Sequence, residues 1–292
     1  MIGRGTIRTE ALMGTVVTME VLEPGADDAL ARAFDWFHEI EQRCSRFDEQ
    51  SELMQLTALP SQPVEVSPIL FEAVRFALAV AEETEGAFDP TVGHRVAALG
   101  YDRNHRTGQR TGTAPHPADV SYRDILIDPV HLTITLLRPL TLDLGAVAKG
   151  LAIDMAAREL AAHRHFAIDA GGDLYMGGYN RHGAPWSVGI RHPRQDGELI
   201  ATVNVSDQAV CTSGDYERPG HLVDPRLASS PSTVASATVV ADGAMLADAL
   251  ATAAFVLGPE RGIEFLERMG VDGLIVTPEL QRRETAGFRY AA

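Results

Sequence analysis

Val16, Met19 and Val21 stand in a β-branched stretch that predicts an early strand, following a loop that contains Met13 and Gly14. From Asp27 to about Arg43 the apolar residues Leu30, Ala33, Phe34, Phe37 and Ile40 recur at helical spacing, the stripe of an amphipathic helix packed on a sheet. A second helix begins after Ser67, an N-cap followed by Pro68 at the first helical position, and ends near Gly86. Its expected buried stripe is Leu70, Val74, Ala77, Leu78 and Ala81. The stretch from Asp102 to Asp119 is rich in Gly, Thr, Arg, Pro and His, lacks periodicity, and is expected to be an exposed loop.

Two short strands are expected around Ile125–Ile127 and Leu132–Leu136. The run LTLDLGAVAKGLAIDMAARELAAH then predicts strand, tight glycine junction and helix, with Ala152, Met155, Ala156 and Leu160 on one face. Further strands fit Ala167–Asp169, Trp186–Ile190, Ile200–Val205 and Val234–Val240, with hairpins between residues 165 and 215. Helices at Ala244–Leu257 and Pro259–Met269 and a strand at Leu274–Thr277 close the chain. Interspersed strands and helices predict an α+β fold with mixed or antiparallel sheets flanked by helices. No repeat and no linker divides residues 1–292 into independent domains.

Composition sharpens this. Apolar residues make up 45% and charged residues 22% of 292, enough for a substantial core. The formal charge of −15 repels nucleic-acid backbones and anionic membranes, and no basic stripe offsets it. A polyphosphate ligand then needs backbone amides, a local cation or a metal. Of 25 basic residues only Lys149 is lysine and the other 24 are arginine, so a compact ammonium stands at one place in an arginine-rich chain. Cys44 and Cys211 are too few for a disulfide framework and are expected to be buried. Neither a signal-peptide run nor a stretch of roughly 18 apolar residues is present, so a cytoplasmic protein with no membrane insertion is expected.

The strongest local signal is Asp143-Leu-Gly-Ala-Val-Ala-Lys149-Gly150. A glycine junction opening a helix presents backbone amides, a seat for phosphate, with Lys149 adding charge and Asp143 available to a polar ring edge or ribose. The lysine precedes the second glycine, which departs from a P-loop, and GxGxxG is absent. An ordinary strand-to-helix turn with a solvated lysine fits the local pattern too. In MLADALATAAFVLG, Asp248 and Thr252 share a helix face beside Ala251, and a carboxylate, hydroxyl and carbonyl are hard donors suited to magnesium. Such pairs are also common on solvated helix faces. TEGAFDPTVG, with Gly86, Asp89, Pro90 and Gly93, predicts a shaped loop rather than a helix. Gly171-Gly172 permits close backbone approach or a strained turn. CTSGDYERPGHLVDP gathers Thr212, Ser213, Asp215, Tyr216 and His221, the last being the histidine that stands out.

Taken in order, these segments resemble the ApbE-like flavin transferases, the FAD:protein FMN transferases. The resemblance runs from Met13-Gly14-Thr15 through SRFDEQSELMQL, GAFDPTVG, LDLGAVAKG, DAGGDL, TSGDYE and HLVDP to DALATAAFVLG, nearly the whole chain. It implies one T-fold-like α+β transferase domain of two packed subdomains, with FAD in a groove between them. It implies transfer of FMN from FAD onto a threonine or serine of an acceptor flavoprotein, with magnesium and release of AMP. By motif position it implies FAD contacts from Met13, Phe47, Leu99, Gly100, Tyr101, Asp143, Lys149 and Leu222. Magnesium falls to the carbonyls of Ala146 and Ala251, the carboxylate of Asp248 and the hydroxyl of Thr252. Phe47 stands where the family often carries tyrosine, which keeps stacking and loses a hydroxyl. His221, with Asp215 as the alternative, is the expected base, and Lys149 the expected catalytic cation. The stretch between TSGDYE and HLVDP is shortened to RPG. Two other readings use the same residues: a magnesium-dependent FAD pyrophosphatase giving FMN and AMP, and an FAD-binding or storage protein without turnover.

Overall fold

The structure is a computed structural model that describes residues 5–104, 107–111, 117, 119–216, 222–225 and 233–291. In chain order its elements are β1 (Thr6–Leu12), β2 (Thr15–Val21), α1 (Asp27–Cys44), α2 (Glu52–Thr57), β3 (Pro63–Glu65), α3 (Pro68–Glu83), α4 (Gly93–Ala98), β4 (Ile125–Asp128), β5 (Thr133–Leu136) and α5 (Gly145–Leu160). There follow β6 (Phe166–Ala170), β7 (Asp173–Gly177), β8 (Trp186–Arg191), β9 (Leu199–Val205), β10 (Gln208–Gly214), β11 (Ser236–Ala241), α6 (Ala244–Leu257), α7 (Pro259–Met269), β12 (Asp272–Val276) and β13 (Arg282–Glu284). This is an α+β fold in which every strand pairing among the described residues is antiparallel.

The chain divides into two compact units. Unit 1 comprises Met1–His38, Lys149–Pro219 and Ser232–Ala292, and unit 2 comprises Glu39–Ala148 and Gly220–Pro231. Unit 1 carries an eight-stranded sheet of order β1-β2-β6-β7-β10-β11-β12-β13 and the β8–β9 hairpin. Strand β10 shows why its polar sequence still makes a central strand. Val210 joins Met176, Val240, Leu274 and Val276 in a core with Val188, Ile190, Val203 and Val205 of the hairpin. With the strand period of two, Cys211 and Ser213 point to the opposite face, where they touch α6 at the Ala244 carbonyl and the Thr252 hydroxyl. Burial of Phe255 and Leu250 on α6 is complete, and each such side chain stabilises by about 1.5–3 kcal/mol.

Unit 2 holds the sheet β3-β5-β4 and helices α2, α3 and α4. Helix α3 starts as expected: the Ser67 hydroxyl accepts from the Leu70 amide, with Pro68 next in the first turn. Its buried stripe includes Phe71, Ala73 and Val80, whereas Leu78 stays half-buried. GAFDPTVG is not a plain loop. Asp89 caps a short 3-10 turn, Pro90–Val92, that runs straight into α4 at Gly93. The glycine is there for space rather than for a turn, since a Cβ at Gly93 would lie 2.7 Å from the Thr141 carbonyl oxygen.

Candidate active site

In unit 1, α5 and α6 meet backbone to backbone. A Cβ on Gly150 would lie 2.5 Å from both the Ala244 carbonyl oxygen and the Met245 Cα, so only glycine fits. One turn further along α5, Asp154 caps α6: its carboxylate oxygens accept from the amides of Ala244 at 2.6 Å and Met245 at 3.0 Å. Burial pushes the Asp154 carboxyl above its ordinary range, opposed by those two amide hydrogen bonds. These contacts set the register of Lys149 on α5 against Asp248 and Thr252 on α6.

The ammonium of Lys149 pairs with Asp173 at the start of β7 and lies 3.3 Å from Asp248 Oδ2. Asp173 is itself held, because its Oδ1 accepts from the Thr212 amide at 3.0 Å. Both carboxylates are buried, at 3% exposure for Asp173 and 6% for Asp248. Although it lies beside that ammonium, Asp248 Oδ2 accepts no hydrogen bond among the described residues. Two buried carboxylates share one ammonium, which leaves one negative charge uncompensated in a medium where such a charge costs several kcal/mol. The same charge acts on its neighbour: burial first, then Asp248, push the Cys211 thiol well above its ordinary value. The Thr252 hydroxyl, one turn beyond Asp248, lies 3.0 Å from the Ser213 hydroxyl.

These donors fit a hard divalent cation: an orphaned buried carboxylate oxygen, a hydroxyl, and the carbonyl of buried Ala251 on the same helix. Among the described residues no group of three or more His, Cys, Asp and Glu is placed to hold a metal, so carbonyls, water or substrate oxygens would complete the shell. Met13, half-buried with φ +49, forms the β1–β2 turn. Gly171 and Gly172 have φ +67 and +95, and a Cβ on Gly171 would collide with the Thr15 hydroxyl, which meets both expectations for that pair.

Unit 2 gathers the other residues singled out from the sequence. Asp143 Oδ1 accepts from the Gly145 amide at 2.8 Å, so the helix junction caps itself and this amide is not left outward. The Asp143 amide donates to the Pro90 carbonyl at 2.7 Å. Asp143 Oδ2 accepts from Arg46 Nε at 2.7 Å, and Arg46 Nη2 donates to the Tyr101 carbonyl at 2.8 Å. The guanidinium carbon lies 4.0 Å from the centre of the Phe47 ring. Leu99 is exposed, and Gly100 has φ +95 with nothing within 4 Å of a Cβ placed on it. Ala146 is half-buried in the first turn of α5, and Leu222 is buried.

Asp215, the alternative base, forms a two-pronged pair with Arg194 at 2.7 and 2.8 Å, which occupies both oxygens. His221 lies outside the described residues. Asp173, Asp154 and Arg46 escaped the sequence reading; DAGGDL and SRF contained two of them, but only as unremarked members. A cleft of about 690 Å³ in unit 1, lined by Asp154, Arg158, His165, Tyr175 and Asp242 among others, borders the α6 cap but contains none of the residues singled out from the sequence. Concavity alone does not mark the site; the buried charge cluster does.

The family model described as "ApbE family" matches residues 13–275. The chain belongs to the ApbE family. That match runs in sequence through both units of this ApbE-family chain. Curated relatives include the FAD:protein FMN transferase of Treponema pallidum, 33% identical over 96% of this chain and 87% of the relative. The FAD:protein FMN transferase of Vibrio cholerae serotype O1 is 30% identical over 90% of this chain and 85% of the relative. Among solved structures, the ApbE protein of Thermotoga maritima superposes with a TM-score of 0.85 at 28% identity, covering 97% of both chains. The flavin transferase ApbE from Vibrio cholerae gives 0.85 at 26% identity, covering 98% of both.

Proposed function

We infer that this chain is an FAD:protein FMN transferase that moves FMN from FAD to a threonine or serine hydroxyl of an acceptor flavoprotein and releases AMP. One observation carries the reading within the molecule: the buried cluster in which Asp173 and Asp248 share the Lys149 ammonium while Asp248 Oδ2, 3.3 Å from that ammonium, accepts no hydrogen bond among the described residues. Family membership and the names of its relatives support the substrate and the reaction class. The chain acts as one transferase domain, in keeping with a family match that spans both units in sequence.

In the bond change, the acceptor oxygen attacks the FMN-side phosphorus, the diphosphate P–O bond breaks, and AMP departs. Asp248, the Ala251 carbonyl and the Thr252 hydroxyl would hold magnesium, which when bound neutralises charge building on the phosphate oxygens. Lys149 brings an ammonium to the same phosphate charge, fixed in place by Asp173. In unit 2, Phe47, Leu99, Gly100, Tyr101, Asp143 and Leu222 would contact FAD, and in unit 1 Met13 would do so. His221 would take the proton of the acceptor hydroxyl; an H221Q chain that keeps the wild-type rate and pH profile removes it from that role.

The test is incubation of the chain with FAD, magnesium and a candidate flavoprotein, followed by intact-mass and peptide mass spectrometry. The expected product is an acceptor heavier by one FMN on Thr or Ser, with equimolar AMP. Equal AMP and free FMN with an unmodified acceptor would establish a pyrophosphatase instead. Bound FAD with no AMP would establish storage.

A further inference from the structure

Arg46 lies between α1 and α2 in unit 2, and its side chain is only 5% exposed. An arginine so buried is normally fully engaged, and this one is engaged with three partners of different chemistry. Nε donates to the Asp143 carboxylate, Nη2 donates to the Tyr101 carbonyl, and the guanidinium plane covers the Phe47 ring. The partners are 97 and 55 residues away and one residue away in sequence. Each residue is pinned a second time: Asp143 by the Gly145 amide and the Pro90 carbonyl, Tyr101 by its amide donating to the Val96 carbonyl at 3.3 Å, and Phe47 by its carbonyl accepting from Asn104 Nδ2 at 2.9 Å. A planar fork can serve these three directions at once, and a lysine ammonium has no plane to lay on the ring.

We propose that Arg46 is the positioning residue of the flavin-binding surface of unit 2. It fixes the Phe47 ring, the Tyr101 carbonyl and the Asp143 carboxylate in one arrangement. It also neutralises Asp143, so that the carboxylate's remaining lone pairs accept from the N–H groups of an uncharged heterocycle rather than attract a cation. The guanidinium does not face the ligand; it acts through these three groups. The proposal rests on the transferase reading, because that reading makes Phe47, Tyr101 and Asp143 FAD contacts.

The experiment is FAD titration by flavin fluorescence, in EDTA so that the metal plays no part, on wild type, R46K, R46M, D143N and R46M/D143N. Loss of a charge-assisted hydrogen bond predicts an FAD Kd raised roughly 10- to 100-fold in R46M. R46K should recover only a minor part of that loss. The double variant should bind no more weakly than R46M alone, and in turnover KM for FAD should rise more than kcat falls. The role of Arg46 is overturned if R46M binds FAD like wild type, or if its loss persists undiminished in the D143N background. Should R46M not fold, R46K against R46K/D143N gives the same cycle with the same two outcomes. A wild-type chain that binds no FAD either in EDTA or with added Mg2+ overturns the transferase reading itself, and that result is seen before any variant is compared.

Discussion

In unit 1 the ammonium of Lys149 is divided between the carboxylates of Asp173 and Asp248, whereas in unit 2 the guanidinium of Arg46 meets one carboxylate, one carbonyl and one aromatic ring. The first cluster sets two carboxylates against one ammonium, and Asp248 Oδ2 accepts no hydrogen bond among the described residues. The second is neutral, and both Asp143 oxygens already accept a hydrogen bond. Burial amplifies the contrast, because a surplus charge away from water demands a cation and a balanced pair does not. Two clusters built from the same kinds of group therefore differ in what they attract: one draws a cation, the other offers hydrogen-bond acceptors beside an aromatic ring.

The sharpest way to break this comparison is to remove the surplus. D248A should lower AMP release and FMN transfer roughly 1000-fold or more, since it deletes the carboxylate proposed to hold the metal. It should also abolish Mn2+ binding measured by electron paramagnetic resonance, and a variant that still binds Mn2+ normally would sink the assignment. D173N removes the charge that anchors Lys149 and leaves the ammonium to Asp248 alone. We expect turnover to fall roughly 10- to 100-fold and Mn2+ to bind more weakly; unchanged metal affinity would show that Asp173 does not govern the cluster.

A gentler test addresses register. G150V drives a side chain into the Ala244–Met245 backbone and should cost about 1–3 kcal/mol. Calorimetry should record a fall in Tm of about 2–4 °C per kcal/mol. A Tm at or above wild type would mean that α5 and α6 are not locked at this point.

The smallest effect belongs to unit 2. Burial raises the Asp89 carboxyl pKa, against hydrogen bonds from the Thr91 amide and hydroxyl and the Tyr122 amide. A raised folded value means that its stabilisation is complete below the unfolded aspartate range near pH ~3.9 and is lost as pH rises through the higher folded value. Urea denaturation of wild type and D89N at several pH values should therefore show wild type losing stability relative to the variant with increasing pH. A difference that is flat, or of opposite slope, would contradict this.

Much of the fold is legible in the residues because it is encoded locally. Ser67-Pro68 starts α3, Gly258-Pro259 separates α6 from α7, and the stripe from Leu30 to Ile40 is wholly buried. Strands β1, β7 and β10 were harder. Strand β7 opens directly after Gly171-Gly172, which reads as turn, and β10 mixes Thr and Ser with Val, so neither an alternating nor a continuous apolar pattern marks it. Helix α4 hid behind Asp89, Pro90 and Gly93, three turn-formers of which the glycine answers a packing need.

The site divides in the same way. The sequence alone determined that Lys149, Asp143, Asp248 and Thr252 sit at a helix start and on one helix face, because spacing within a helix is fixed by its period. Only the tertiary structure decided what those groups face. Residues 46 and 143 are 97 positions apart, and Lys149 reaches Asp173 across the rest of α5, a loop and strand β6. No local periodicity records such partners. They are chosen by the burial of each charge, which must find its counterpart wherever the folded chain brings one.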